Sequence, residues 1–129
     1  MRNEYPTSRV APAVGSVLMY LAGILVIGSA VLKFVQPPAV VVQFRELGYE
    51  GTKLILIGIL EICCSVLFMI PYTRSIGLLL LSAYLGGAIA THVGHGQPAA
   101  VGPAALLALA WLGVSLRHPN IFWSFRTQS

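Results

Sequence analysis

The stretch from Gly51 to Val93, GTKLILIGILEICCSVLFMIPYTRSIGLLLLSAYLGGAIATHV, holds two long apolar runs separated only by Pro71, Tyr72, Thr73 and Arg74. Each run is about twenty residues, and at 1.5 Å rise a helix of that length spans about 30 Å, the thickness of a bilayer's hydrocarbon core. The stretch therefore reads as a transmembrane helical hairpin. Inside its first arm sits Glu61, about ten residues from either end and so close to the bilayer midplane. A carboxylate there costs about 2.5 to 3.5 kcal/mol on insertion scales, and needs a partner or a purpose.

Two further apolar runs flank the hairpin, and the spans predicted are about 13–35, 52–70, 74–93 and 98–116. With 57% of the 129 residues hydrophobic and only 9% charged, and a mean hydropathy of +0.82, an integral membrane protein is expected rather than a soluble domain. Four spans take up most of the chain, so the predicted fold is all-α: one antiparallel transmembrane four-helix bundle over residues 1–129. The first run is longer than a signal-peptide core and ends on Lys33 and Gln36 instead of a small-residue cleavage site, so it is expected to stay as the first helix.

The formal charge of +4 comes from eight basic residues scattered over termini and connections. They form no patch, and no nucleic-acid partner is expected. They read instead as topology signals. If the first helix starts inside, Arg2, Arg9, Arg74, Arg117 and Arg126 are cytoplasmic, against Lys33, Arg45 and Lys53 outside, which favours both termini in the cytoplasm.

Along the chain, residues 1 to 12 show no apolar period and read as a short lead. In the first span Gly15, Ala22, Ser29 and Lys33 share one helical face, a small-residue stripe that points Lys33 into the bundle. From there its stem, about 6 Å long, reaches either inward to Glu61 or outward to headgroups, and both directions stay open. The connection QPPAVVVQFRELGYEGT carries a double proline that ends the helix. Val40, Val41, Phe44 and Leu47 then recur at helical spacing before Gly48. Residues 38–47 are predicted to form a short amphipathic helix in the outer interface, apolar face down, with Gln43, Arg45 and Glu46 toward water, lidding the outer mouth of the bundle.

On the second span Leu54, Gly58, Glu61, Ser65 and Phe68 share the face that belongs inside. On the third, Gly77, Tyr84, Ala88 and Thr91 line up beside Gly86 and Gly87. Tyr84 lies at the depth of Glu61, and a hydrogen bond between them is geometrically reasonable. His92 and His95 follow near the outer end. The fourth span carries no ionisable group, and Ala104, Ala108, Trp111 and Ser115 are its predicted inner face. Arg74 is expected to snorkel to headgroups at the inner surface. Phe122, Trp123 and Phe125, among His118 and Arg126, read as an interfacial anchor.

Cys63 and Cys64 are adjacent within the second span. They lack the C-x-x-C spacing of disulfide-exchanging enzymes and read as small buried apolar side chains. His92, His95 and Glu61 differ too much in depth to favour a metal site, and none is predicted. No dinucleotide, phosphate-loop, haem-attachment or nucleophile motif is present. The chain thus brings no intrinsic redox centre or cofactor and no visible catalytic group.

The order of these features resembles the DoxX-like family of small four-helix membrane proteins. The matching pieces are LKFVQPP with Lys33, ELGY from Glu46, GILE ending at Glu61, IPYTRSIG with Pro71 and Arg74, LLLSAYLGGAIATHV through His92, and WLGVSLRHP after Trp111. Together they cover about residues 14 to 120. Gly94 departs from the pattern, standing where a basic residue is ordinary. The resemblance implies a multi-pass protein of the prokaryotic cytoplasmic membrane in a family loosely tied to quinone-linked redox complexes.

Three functions stay open on these residues. The first is a non-catalytic redox subunit that binds a quinone or similar lipid-like ligand in an outer cavity formed by Glu61, Tyr84, Lys33 and His92. The second is a scaffold or assembly factor whose polar core is structural, and the third a small-molecule transporter. Membrane lipids are expected partners in all three, with a redox protein or a second copy of the chain as further candidates.

Overall fold

The computed structural model describes residues 9–122, with side chains through Asn120. The elements are α1 (Val10–Val35), α2 (Pro38–Glu46), α3 (Thr52–Met69), α4 (Arg74–Gly94) and α5 (Val101–Arg117), with 3-10 turns at Pro71–Thr73, Pro98–Ala100 and Pro119–Phe122. Four segments, Val10–Val35, Thr52–Met69, Pro71–Gly94 and Pro98–Arg117, are long and apolar enough to cross a membrane. α1 packs against α3 and α5, and α4 against the same two helices, so the four run antiparallel round the ring α1, α3, α4, α5. The start of α1, the hairpin turn and the end of α5 lie at one end of the bundle. α2 and the turn into α5 lie at the other.

Apolar side chains occupy both the inside and the outside, as expected of helices solvated by lipid. Met19, Ala22, Val26, Phe68, Leu81 and Val114 form much of the core, while Ile24, Leu56, Leu79 and Leu112 are each more than half exposed on the perimeter. Backbone proximity, not side-chain bulk, sets the tightest crossings. A Cβ on Gly113 would lie 2.8 Å from Met19 N and 3.0 Å from Gly15 O, so α1 and α5 touch backbone to backbone there. Gly77 plays the same part in the hairpin, facing the Phe68 backbone. The hairpin is closed by side chains that take the orphaned carbonyls at the end of α3. Thr73 Oγ1 donates to Leu67 O at 2.8 Å, and Arg74 donates to Phe68 O and Met69 O, both at 3.2 Å. Arg74 is thus a helix cap as well as a surface cation.

α2 forms where its apolar spacing predicts, with Pro38 at its first position. It ends in a Schellman motif. Gly48 takes φ 81°, its N–H donates to Arg45 O at 2.9 Å, and Tyr49 N–H donates to Phe44 O at 2.9 Å. Leu47, just beyond, is buried and fixes the segment to the bundle.

Several sequence-based expectations need correction. The buried face of α5 runs through Ala110, Gly113 and Val114. Ala104 and Ala108 are exposed, and Trp111 and Ser115 only half-buried. The alanine stripe misled because the close approach to α1 is set by Gly113. On α4 the most buried positions are Gly77, Leu78, Leu81, Leu85 and His92, with Tyr84, Ala88 and Thr91 at the edge of that face. Cys64 is buried but Cys63 is exposed, since neighbours on a helix point about 100° apart. Gln43, expected in water, is half-buried and borders a cavity. Trp123, Phe125 and Arg126 of the expected anchor, and the side chain of Phe122, lie outside the described residues.

Candidate functional site: a polar cluster under α2

Glu61, Lys33 and His92 are three of the few polar side chains buried in the bundle, at 3%, 3% and 7% exposure. α1 and α3 pack side by side, and their small residues Ala30 and Gly58 let the two chains approach. A Cβ on Gly58 would lie 3.4 Å from Ala30 O. That proximity decides the direction of Lys33. Its Nζ donates to Glu61 Oε2 at 2.9 Å and to Ser29 Oγ, one turn earlier, at 2.8 Å. The Phe44 ring of α2 covers the same ammonium, with its centroid 5.0 Å away, a cation–π contact that shields the charge from above.

The second carboxylate oxygen is equally occupied. Tyr84 Oη donates to Glu61 Oε1 at 2.7 Å, the bond anticipated from their equal depth, and Ser29 Oγ donates to the same atom at 3.2 Å. The midplane carboxylate is therefore held by three donors from two neighbouring helices. That arrangement offsets the desolvation an isolated charge would suffer. Ser29 is a member of this cluster that sequence reasoning placed only in a small-residue stripe. Its hydroxyl, one turn from Lys33 on the face turned to Glu61, was the available signal.

A second chain of polar groups sits above the first. His92 Nδ1 lies 2.9 Å from Gln97 Oε1, and Gln97 Nε2 donates to Glu46 Oε2 at 3.1 Å. The Glu46 carboxylate accepts only, so it orients the amide. The amide oxygen in turn accepts from His92, which places the proton on Nδ1 and leaves Nε2 as an acceptor in the neutral ring. The His92 ring also meets Phe44 edge-on, centroids 6.4 Å apart. α2 is thus tied to this end of the bundle through both Phe44 and Glu46. Gln97 and Glu46 escaped the sequence reading because both lie in or beside connections and meet only when the ends of α2 and α4 converge.

A cavity of about 230 Å³ lies between these two polar layers. Its walls include all four residues singled out from the sequence, Lys33, Glu61, Tyr84 and His92, together with Ser29 and Phe44. His95 does not join them. It is exposed, with Nδ1 2.8 Å from Thr91 O, and among the described residues no three His, Cys, Asp or Glu side chains converge as metal ligands would.

Toward the other end of the bundle the core turns apolar. Ser65, fully buried one turn from Glu61, is its exception, with a hydroxyl that has no hydrogen-bond partner among the described residues. The site therefore faces one end of the bundle, as a basin with a polar floor and an aromatic cover.

The comparisons with curated proteins and with solved structures give no match. A sequence profile of the DoxX-like family matches residues 11–113, a range that runs from the start of α1 into α5 and contains every residue of both polar layers. Carrying that match across all four apolar spans, the chain belongs to the DoxX-like family.

Proposed function

We propose that this protein is a non-catalytic membrane subunit that holds a lipid-soluble ligand with a compact polar head, a quinone or its reduced form, in the basin above Glu61. The observation that supports this reading is the cavity itself: about 230 Å³ of space bounded by an ion pair, a tyrosine hydroxyl and a histidine acceptor. Apolar walls with a few convergent polar groups are the usual composition of small-molecule sites. A hydroxyl on a reduced head would donate to His92 Nε2, and a carbonyl oxygen would accept the third proton of Lys33, which otherwise makes only a long contact of 3.5 Å to Ser29 O. The neighbouring redox protein would supply the electron chemistry, because the chain carries no redox motif.

The same reading places the basin at the outer side of the prokaryotic cytoplasmic membrane. Lys33 is buried in the bundle, so among the described residues the cations left at the α2 end are Arg45 and Lys53, against Arg9, Arg74 and Arg117 at the other. That bias favours the α2 end outside.

The scaffold reading has its own support in the completeness of the network, since a carboxylate with three donors needs no ligand to be satisfied. Organic extraction of the purified protein, with identification of the lipids carried through purification, separates the two. A stoichiometric quinone that is lost in His92→Phe supports the ligand site. Bulk phospholipid alone, unchanged by the substitution, leaves the polar core structural.

A further inference from the structure

The basin is smaller than its proposed ligand. Pockets for drug-sized molecules begin at about 300 Å³, and 230 Å³ accommodates a ring but not an attached chain. A second cavity, of about 280 Å³, lies on the flank of the bundle between α3 and α4, lined by Ile57, Leu60, Ala83 and Gly87. Leu60, Ala83 and Gly87 are exposed on the perimeter, where lipid chains would lie. Along this flank α4 presents no ridge, because a Cβ on Gly86 or Gly87 would meet nothing within 4 Å.

The two cavities have a common wall. Phe44, Tyr84, Ala88 and His92 line both. Tyr84 is fixed at the floor by Glu61, while Phe44 is a half-buried ring on a nine-residue helix that has no buried residue within its span. Its ring meets the edge of His92 and the ammonium of Lys33, neither of which locks a rotamer as a hydrogen bond would. The upper part of the wall can therefore yield while the lower part stays.

We infer that the groove between α3 and α4 is the tail subsite of the head cavity, through which a ligand slides in sideways from the bilayer, with Phe44 forming the movable sill. This inference rests on the ligand reading above. The occupant is the ligand's own apolar chain, since the shared wall puts the groove within reach of a head held in the basin. Specificity is then divided: Glu61, Lys33, Tyr84 and His92 select the head, and Leu60, Ala83 and Gly87 admit any chain that is apolar and slender.

The test uses the full chain in nanodiscs and two probes, 2,3-dimethoxy-5-methyl-1,4-benzoquinone and its 6-decyl derivative, at matched concentrations in the membrane. The decyl probe should bind the unaltered protein at least about tenfold more tightly, through the van der Waals contacts its chain gains on leaving fluid lipid for a fixed groove. Gly87→Trp, which fills the groove from an open position, should abolish that advantage and leave the tail-less probe unchanged. Ala83→Trp, on the same strip, should act alike and guards against a folding defect in either variant. Leu79→Trp, on the exposed perimeter of α4 away from both cavities, should not remove the advantage. If both groove variants retain it, or Leu79→Trp removes it as well, the lateral groove is not the tail site although the head site stands. If neither probe binds the unaltered protein, the ligand reading and this inference fail together.

Discussion

Lys33 Nζ lies 2.9 Å from Glu61 Oε2 with both side chains about 4% exposed, so two charges from neighbouring helices are buried against each other near the middle of a membrane-spanning bundle. Removing one partner of such a pair costs about 3 to 5 kcal/mol, because the survivor is left buried and uncompensated, whereas an apolar pair of similar volume is often neutral or better. Lys33→Met and Glu61→Gln should each therefore lower thermal stability strongly in detergent. The double variant Lys33→Met/Glu61→Leu should regain most of the loss. A double variant no more stable than the worse single would mean that the two side chains are not energetically coupled.

The connection between α2 and the rest makes a separate prediction. Gln97 bridges His92 and Glu46 at 2.9 and 3.1 Å, and α2 buries nothing within its helix that would otherwise hold it. Gln97→Leu should loosen α2 without unfolding the bundle, raising amide hydrogen exchange across residues 38–46 while α1, α3 and α4 keep their protection. It should also free the His92 tautomer, visible as a change in the ring nitrogen shifts. Unchanged exchange in α2 would show that Phe44 and Leu47 alone are enough to seat it.

Run length was sufficient to place the four spans, and the spacing of Val40, Val41, Phe44 and Leu47 to place α2, because both are one-dimensional properties of a helix. The bond from Tyr84 to Glu61 was legible for a related reason: a four-residue turn fixes the relative depth of the two arms. The direction of Lys33 was not, since its stem reaches either way and only the approach of α1 to α3 at Gly58 decides. The face of α5 was misjudged for want of a polar marker. An Ala-rich and Leu-rich span offers several equivalent stripes, and the choice among them is made by one backbone contact at Gly113. Gln97 and Glu46 lie far apart in sequence and in connections, where no periodicity operates.

That contact at Gly113 can be probed against a glycine that has no neighbour. A Cβ at Gly113 would sit 2.8 Å from Met19 N, while one at Gly87 would meet nothing within 4 Å. Gly113→Ala should cost about 1 to 3 kcal/mol as α1 and α5 are forced apart. Gly87→Ala should be neutral or stabilising by up to about 1 kcal/mol, since it relieves the entropic cost of glycine within a helix. Thermal unfolding of the two variants measures the difference. Equal effects would mean that the α1–α5 crossing is looser than its geometry.

The orientation proposed for the bundle has a direct chemical test. Glu50 lies beside α2, with an exposed side chain that meets Arg45 at 3.0 Å, and Tyr72 in the hairpin turn is 99% exposed at the opposite end. In a background of Cys63→Ser and Cys64→Ala, a cysteine placed at either position has access to water and reports its side of the membrane. With the arginine-rich end inside, a membrane-impermeant maleimide added to intact cells should label Glu50→Cys, and should label Tyr72→Cys only after the cells are opened. Labelling of Tyr72→Cys alone in intact cells would invert the bundle. The basin above Glu61 would then open toward the cytoplasm, and any redox partner serving it would have to be sought on that side.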